Sequence, residues 1–298
     1  MKTIITILIL LSFIGCKNEI SPQKTIEPTE KETEQIINET NNNEDAPVFS
    51  EESLEELDQE KTKSIKRDRL IAAIDDKIQL QKLVISKQFY KEEDFYVLDY
   101  KYPYLNESID SSYAVFNKYI TETYLDIEAT ENEILEDKVI FCDSLGASRC
   151  MDKRIIDYKI YTAKNNLMSV LLYKENYYSG MKHSTYMFEC LNFELDKYQF
   201  IYYNDFFEKG SEKELFTNIN RIITNAIHSG ELYYDCWELS EGDFKAYKNN
   251  FVINDDTIEF YFDDCVICPS YTGTYSVEIP IKEIMHLIKS YNNPPIIG

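Results

Sequence analysis

Residues 155–175 read IIDYKIYTAKNNLMSVLLYKE and predict the centre of the fold. Two runs rich in β-branched and aromatic residues, 155–163 and 166–175, flank Asn165-Asn166. Such runs are typical of β-strands. An asparagine pair tolerates the left-handed backbone that a tight hairpin turn requires. The stretch therefore predicts an antiparallel β-hairpin.

Further strand patterns lie on both sides of this hairpin. Downstream, strands are predicted at 184–195 and 198–203, joined at Asp196-Lys197, and then at 250–254, 257–263 and 274–280, with Asn254-Asp255-Asp256 as a turn. Upstream, the aromatic run Phe95–Tyr102 predicts a strand that ends at Pro103, because proline lacks a backbone donor. The sheet is expected to be mainly antiparallel.

Three segments have helical periodicity. Apolar residues recur at i, i+3 and i+4 across 113–127, and helices are also predicted at 211–228 and 283–291. Ser211-x-x-Glu214 is a capping-box pattern, and Gly230 is a stop signal. Strands follow strands without alternating helices, which indicates an α+β fold. We predict an antiparallel sheet with helices packed on it, in two closely joined subdomains, 83–175 and 176–298.

The first residues predict export and lipid attachment. Lys2 precedes an apolar run from Ile4 to Leu11, and Gly15 directly precedes Cys16. A basic start, a short apolar stretch and a small residue before the cleavage point are typical of a secretory signal peptide. A transmembrane helix needs about 20 apolar residues, and this run is shorter. We therefore predict a signal peptide over 1–15 and a lipoprotein whose Cys16 carries acyl chains such as palmitate.

Strong acidity follows this signal. The chain has a net charge of −22, and residues 17–60 contain 14 acidic and three basic residues. We predict a disordered acidic tether over 16–50, because this stretch is poor in residues that can form a core, and a possible helix over 51–82. The acidity argues against a nucleic-acid partner, which needs a basic face. It is compatible with a cationic partner, although solubility alone explains it as well.

Six cysteines besides Cys16 form an even set, which in an exported chain favours disulfides: Cys142, Cys150, Cys190, Cys236, Cys265 and Cys268. Cys142 and Cys150 are the best local pair, since a turn-rich loop separates them. The other four are expected to pair among themselves, with Cys236 joined to either Cys265 or Cys268. Cys265-x-x-Cys268 has zinc-ligand spacing, but the sequence lacks the second pair of ligands that such a site needs, so no metal site is expected.

The order of motifs over about residues 90–290 resembles a known pair of bacterial extracytoplasmic domains. These domains occur in the lysozyme-sensing anti-sigma factor RsiV and in the N-terminal region of the peptidoglycan deacetylase PdaC. The matching segments are Tyr102-Pro103, Tyr178–His183, Asn192–Leu195, Asp205–Phe207, Ile258–Phe262, Pro269–Gly273 and Val277–Pro280. Met181 and Lys182 depart from the family's glycine- and alanine-containing turn. The resemblance implies a binding domain and directs attention to lysozyme.

The candidate binding residues lie in the two glycine turns of this resemblance. They are Tyr178, Gly180, His183, Tyr271 and Gly273, with Tyr177 and Tyr275 beside them. Exposed tyrosines can stack on sugar rings or anchor a protein interface, whereas most tyrosines in a sheet protein fill its core. His183 is either a partner contact or a structural histidine that bonds to backbone.

Recognisable catalytic motifs are absent from the sequence. We find no nucleophile elbow, phosphate-binding loop or dinucleotide fingerprint, and adjacent acids such as Asp263-Asp264 point to opposite faces of a strand. We therefore expect a lipid-anchored binding protein of the bacterial cell envelope, at the outer membrane or cell surface, that needs no cofactor. Its expected partner is a cationic protein such as lysozyme, or cell-wall glycan. An enzyme acting on envelope glycans and a structural lipoprotein are the alternatives.

Overall fold

The hairpin at Asn165-Asn166 lies in a six-stranded sheet. In the computed structural model, the described residues are 82–144, 150–179, 181 and 183–289. The signal peptide, Cys16, the tether, the possible helix up to residue 81, and Gly180 lie outside them. The strands are β1 (Val84–Glu93), β2 (Tyr96–Leu105), β3 (Asp152–Lys164), β4 (Leu167–Tyr177), β5 (Thr185–Glu194) and β6 (Gln199–Ile201). They lie side by side in chain order.

The predicted hairpin turn is confirmed. Asn165 and Asn166 have φ angles of 53° and 65°, the left-handed conformation in which asparagine is tolerated. This geometry matches the twist of the flanking β3 and β4, which pair antiparallel along their length. β4 also pairs antiparallel with β5. One sheet therefore contains residues from both predicted subdomains, 83–175 and 176–298.

The beginning of the sheet differs from the prediction in two ways. β1 had no clear sequence signal, and β2 continues through Pro103 to Leu105. β2 pairs with β3 only over Tyr96–Tyr100 and with β1 over its whole length. Pro103 therefore has a strand neighbour on one side only, where a missing N–H is tolerated.

β2 and β3 are parallel, and a helical crossover connects them. It contains a 3₁₀ turn (Ser111–Tyr113), α1 (Ala114–Lys118), a π-helical segment (Tyr119–Tyr124), α2 (Ile127–Asp137) and a second π-helical segment (Lys138–Ser144). The prediction of one helix over 113–127 is therefore wrong in detail. Asp126, at φ 32°, breaks the helix and accepts a hydrogen bond from the Ala129 N–H.

The remaining residues form a second, three-stranded antiparallel sheet with helices beside it. It comprises β7 (Phe251–Ile253), β8 (Thr257–Tyr261) and β9 (Ser276–Pro280), as predicted. The helices are α3 (Tyr203–Phe206), α4 (Glu212–Ser229), α5 (Glu241–Tyr247) and α6 (Ile281–Ile284), the last followed by a 3₁₀ turn, Met285–Leu287. The helix predicted over 283–291 is thus shorter and begins earlier than expected. The sequence patterns did not reveal α5.

The predicted stop of α4 is confirmed, but its predicted cap is not. Gly230 ends the helix at φ 77°, a conformation that glycine adopts without strain. Ser211 makes no side-chain cap. Its buried hydroxyl lies 2.8 Å from the Tyr203 hydroxyl instead, so a tertiary contact has taken the group that the capping box needs.

A buried polar network joins the two sheets. The Ser169 hydroxyl donates to Asn192 Oδ1 at 2.6 Å and accepts from the Ile253 N–H at 2.8 Å. Asn192 Nδ2 donates to the Phe251 carbonyl at 2.8 Å. Ser169 lies on β4 and Asn192 on β5, so β7 is docked on the centre of the larger sheet. Every buried polar atom in this contact is paired, which fixes the relative placement of the sheets.

Candidate binding surface

The first predicted glycine turn connects β4 to β5. His183 is exposed, and Met181 donates its N–H to the Tyr178 carbonyl at 3.1 Å. The Tyr178 ring lies over the Arg154 guanidinium, with 4.0 Å between Cζ and the ring centroid. Burial raises the pKa of Tyr178, and the positive charge of Arg154 opposes that rise. Tyr178 therefore contributes to packing, whereas the ring of His183 faces solvent.

A buried ion pair anchors the base of this turn. Arg154 Nη2 lies 2.8 Å from Asp152 Oδ2, and both side chains are almost completely buried. Arg154 Nη1 also donates to the Tyr177 carbonyl at 2.9 Å, and Asp152 Oδ1 accepts the Ser179 N–H at 2.7 Å. Both ions thus hold backbone groups at the end of β4. The geometry fixes where the turn leaves the sheet.

The second predicted turn is a 3₁₀ turn, Ser270–Thr272, that ends at Gly273 with φ 68°. A left-handed residue at this position favours glycine. Tyr271 is exposed, and its hydroxyl donates a hydrogen bond to the Asp235 carboxylate. This bond raises the pKa of Tyr271 to about 12. Gly273 therefore has a conformational role, and Tyr271 is available at the surface.

The two turns are connected through the start of β5. The Asp264 N–H donates to the Tyr186 carbonyl at 3.0 Å, and the Tyr186 ring lies 5.7 Å from the Tyr275 ring. Ser270, at the start of the second turn, donates to Asp264 Oδ2 at 2.8 Å. The predicted residues thus form two neighbouring groups, one around Tyr178 and one around Tyr271, joined by buried tyrosines.

The predicted cysteine pairing is correct in two places and wrong in a third. Cys142 pairs with Cys150, and Cys236 pairs with Cys268. Cys190 is a free, buried thiol. It points from β5 into a cluster of tyrosine and phenylalanine side chains, and this burial raises its pKa well above the usual thiol value. Parity of the cysteine count could not reveal that one of them is a core residue.

The Cys236–Cys268 disulfide lies beneath an aromatic surface that the sequence reasoning missed. Tyr233, Tyr234, Trp237 and Tyr271 are 53%, 83%, 36% and 56% exposed, respectively. We call these four side chains the aromatic platform. The Tyr233 and Tyr271 rings meet edge to face, with centroids 6.1 Å apart. The available signal was Trp237, the only tryptophan of the chain, which follows Tyr233-Tyr234 and a cysteine shortly after Gly230.

The segment that carries the aromatic platform has little regular structure but many fixed contacts. Trp237 donates its backbone N–H to the Ile267 carbonyl at 3.0 Å and its indole N–H to the Val266 carbonyl at 2.9 Å. The Asn220 amide accepts the Leu239 N–H at 2.7 Å and donates to the Leu239 carbonyl at 3.0 Å. The segment is therefore fixed by the disulfide, by one indole and by α4.

The two segments that contain the aromatic platform are rich in acidic residues. Residues 229–244 and 254–281 contain eleven aspartates and glutamates and no lysine or arginine. Asp235 and Glu238 are exposed beside the aromatic platform, and Glu238 accepts a hydrogen bond from Thr224 at 2.8 Å. Lys164 pairs with Asp255 at the turn between β7 and β8, whereas the exposed carboxylates of Asp235 and Glu238 create a local field that attracts cations.

The residues that the structure describes contain no group of three or more histidine, cysteine or acidic side chains arranged to hold a metal ion. None of their helices is long and apolar enough to cross a membrane. A shallow groove of about 210 Å³ lies at the edge of β6, away from the predicted residues, and is lined by Glu194, Lys197, Gln199, Phe200, Ile201, Asp205 and Lys289.

Comparison with known proteins identifies relatives of unknown function. Residues 204–282, from α3 to α6, match the family model described as protein of unknown function DUF3298. A crystal structure of a DUF3298-family protein from Bacteroides fragilis superposes with a TM-score of 0.50 at 17% identity, covering 71% of this chain and 94% of that one.

A second structure, of a DUF3298-family protein from Pseudomonas aeruginosa, has a TM-score of 0.50 at 12% identity and covers 72% and 95%. No protein of curated function matches the chain. These similarities establish the α+β fold and leave the activity open.

Proposed function

We propose that this chain is a lipid-anchored binding protein of the bacterial cell envelope that captures a cationic extracellular protein, with lysozyme as the first candidate. The observation that carries the proposal is the exposed carboxylates of Asp235 and Glu238 beside the aromatic platform, in two segments, 229–244 and 254–281, that contain eleven acids and no lysine or arginine. A rigid surface of one charge sign steers and selects partners of the opposite sign.

The sequence supports the envelope location and suggests the partner. Gly15-Cys16 after a short apolar run is the pattern of a lipoprotein signal, and the acidic stretch that follows would hold the folded part away from the membrane. The motif order that resembles the lysozyme-binding region of RsiV supports lysozyme. Cell-wall glycan is the second candidate, because the exposed rings of Tyr234 and Tyr271 offer faces on which sugars stack.

The proposal is tested by titrating the purified full chain, in detergent micelles, with lysozyme at low salt and at about 0.5 M salt. The Debye length falls to about 4–5 Å at the higher salt, so long-range attraction is screened. We expect saturable lysozyme binding that persists, whereas an unrelated protein of similar positive charge is released. Equal, salt-erased binding to both proteins would refute the proposal.

The alternative functions predict different results. An enzyme acting on envelope glycans would release soluble fragments from purified peptidoglycan, and we expect no such release. A structural lipoprotein would crosslink in membranes to a stable partner, with no effect of substitutions at Tyr271 or His183. Saturable lysozyme binding that depends on Tyr271 would contradict that alternative.

A further inference from the structure

The aromatic platform has a surface character that folding alone does not require. Tyr234 is 83% exposed, Tyr233 and Trp237 lie on the same loop, and Tyr271 on the neighbouring loop lies close to Tyr233 and Tyr234. Exposed clusters of large apolar groups with a polar rim mark interaction sites more often than scattered single residues do. The core of the smaller sheet is formed by other residues, from α3, α4 and β7–β9. The exposed rings are therefore free for a partner.

Three of the four side chains of the aromatic platform are also pre-organised. The Cys236–Cys268 disulfide joins its two segments, and both donors of Trp237 are bonded to backbone carbonyls of residues 266 and 267. Tyr271 is held by Asp235 and by the Tyr233 ring. A partner that docks here orders few side chains, so little conformational entropy opposes binding.

The combination of flat rings and carboxylates is selective for one type of side chain. An arginine guanidinium is planar, stacks on aromatic faces and forms forked hydrogen bonds with carboxylates. Asp235 and Glu238 supply exposed carboxylates on the segment that also carries Tyr233, Tyr234 and Trp237, and residues 229–244 contain no lysine or arginine. A lysine ammonium satisfies the charge but stacks less well.

We propose that the aromatic platform is the docking surface of this chain and that it takes arginine side chains of a cationic protein partner. The proposal rests on the proposed function and names the residues and the chemistry through which the partner is held. Tyr234, Tyr271 and Trp237 supply aromatic faces for stacking, and Asp235 and Glu238 supply the charge.

The single tryptophan makes a direct test possible. The full chain is labelled with 5-fluorotryptophan, so that its ¹⁹F spectrum contains one resonance, from Trp237. Unlabelled lysozyme adds no signal. We expect lysozyme to shift or broaden this resonance and Tyr234→Ala to weaken lysozyme binding at least tenfold, as truncation of an interface anchor does. Tyr90→Ala, which removes a 57% exposed tyrosine on β1, is the matched control and should leave the affinity unchanged.

A second probe separates the docking surface from the identity of the partner. Octa-arginine and octa-lysine peptides are titrated against the same labelled chain. We expect the arginine peptide to shift the Trp237 resonance at several-fold lower concentration than the lysine peptide, and Tyr234→Ala to abolish the difference. This result would support the docking surface even if lysozyme itself failed to bind, which would refute the proposed partner alone.

Three outcomes would overturn the inference. Lysozyme binding that leaves the Trp237 resonance unmoved and is insensitive to Tyr234→Ala would place the interface elsewhere and leave the proposed function intact. Equal responses to the arginine and lysine peptides would remove the chemical selectivity. A response to chitin oligosaccharides with none to octa-arginine would assign the aromatic platform to glycan.

Discussion

Replacing Arg154 with methionine tests whether the buried ion pair holds the end of β4. The substitution removes the 2.8 Å contact with Asp152, the bond to the Tyr177 carbonyl and the stacking on Tyr178. Asp152 then remains buried with the Ser179 N–H as its polar partner. Leaving one buried charge uncompensated costs about 3–5 kcal/mol.

The magnitude is measurable by thermal and urea unfolding. In a folded region of about 200 residues, 1 kcal/mol corresponds to roughly 2–4 °C in the melting temperature, so Arg154→Met should lower it by about 6–20 °C. Asp152→Asn should cost less, because Arg154 keeps the Tyr177 carbonyl, the Tyr178 ring and Glu133, whose carboxylate lies 3.8 Å away.

The double variant isolates the ionic part of this effect. Once Arg154 is methionine, neutralising Asp152 removes the stranded charge, so Asp152→Asn should then stabilise the chain. We expect a coupling free energy of about 1–3 kcal/mol, the range for residues in direct contact. A loss below about 1 kcal/mol for Arg154→Met, or strictly additive single effects, would refute the reasoning, because the pair would then contribute only as packing.

Two further predictions concern other parts of the fold. Peptide mapping without reduction should recover Cys236 linked to Cys268, and a thiol reagent should label Cys190 only after unfolding, since its thiol is buried; rapid labelling of the native chain would contradict this placement. Burial raises the pKa of Asp263, although hydrogen bonds from the Phe188 N–H and the Tyr247 hydroxyl oppose this rise. The wild-type chain therefore loses stability as the pH rises through the pKa of Asp263 in the folded state. In urea unfolding, the free energy of unfolding of Asp263→Asn minus that of wild type should therefore be larger at about pH 7 than at about pH 4. A difference that does not change with pH would refute this assignment.

The predictions that succeeded depend on local chemistry. The turn at Asn165-Asn166 and the end of α4 at Gly230 both need left-handed backbone, and the residue type signals this need directly. The β8 and β9 strands were visible because strand propensity and turn residues lie close together in sequence. The prediction for Ser211 failed because its hydroxyl has a tertiary partner, Tyr203, that no local pattern reveals.

The candidate binding surface was only partly visible for the same reason. Tyr271 was found through its glycine turn, but its contact with Asp235 joins residues 36 positions apart. Trp237 and Tyr234 were not predicted as binding residues, because the exposure of a side chain is decided by the packing of the whole molecule. Tyr178 is a predicted binding residue, and the structure places its ring on Arg154.

The sequence by itself determined the class of fold, most strands and turns, the acidity of the chain and the local Cys142–Cys150 bridge, since propensity, charge and short loop closure act between near neighbours. Tertiary structure decided the parallel pairing of β2 with β3, the choice of Cys268 as the partner of Cys236, the burial of Cys190 and the assembly of the aromatic platform. These features join residues far apart in the chain, and their free energy depends on which surfaces the packed core leaves exposed.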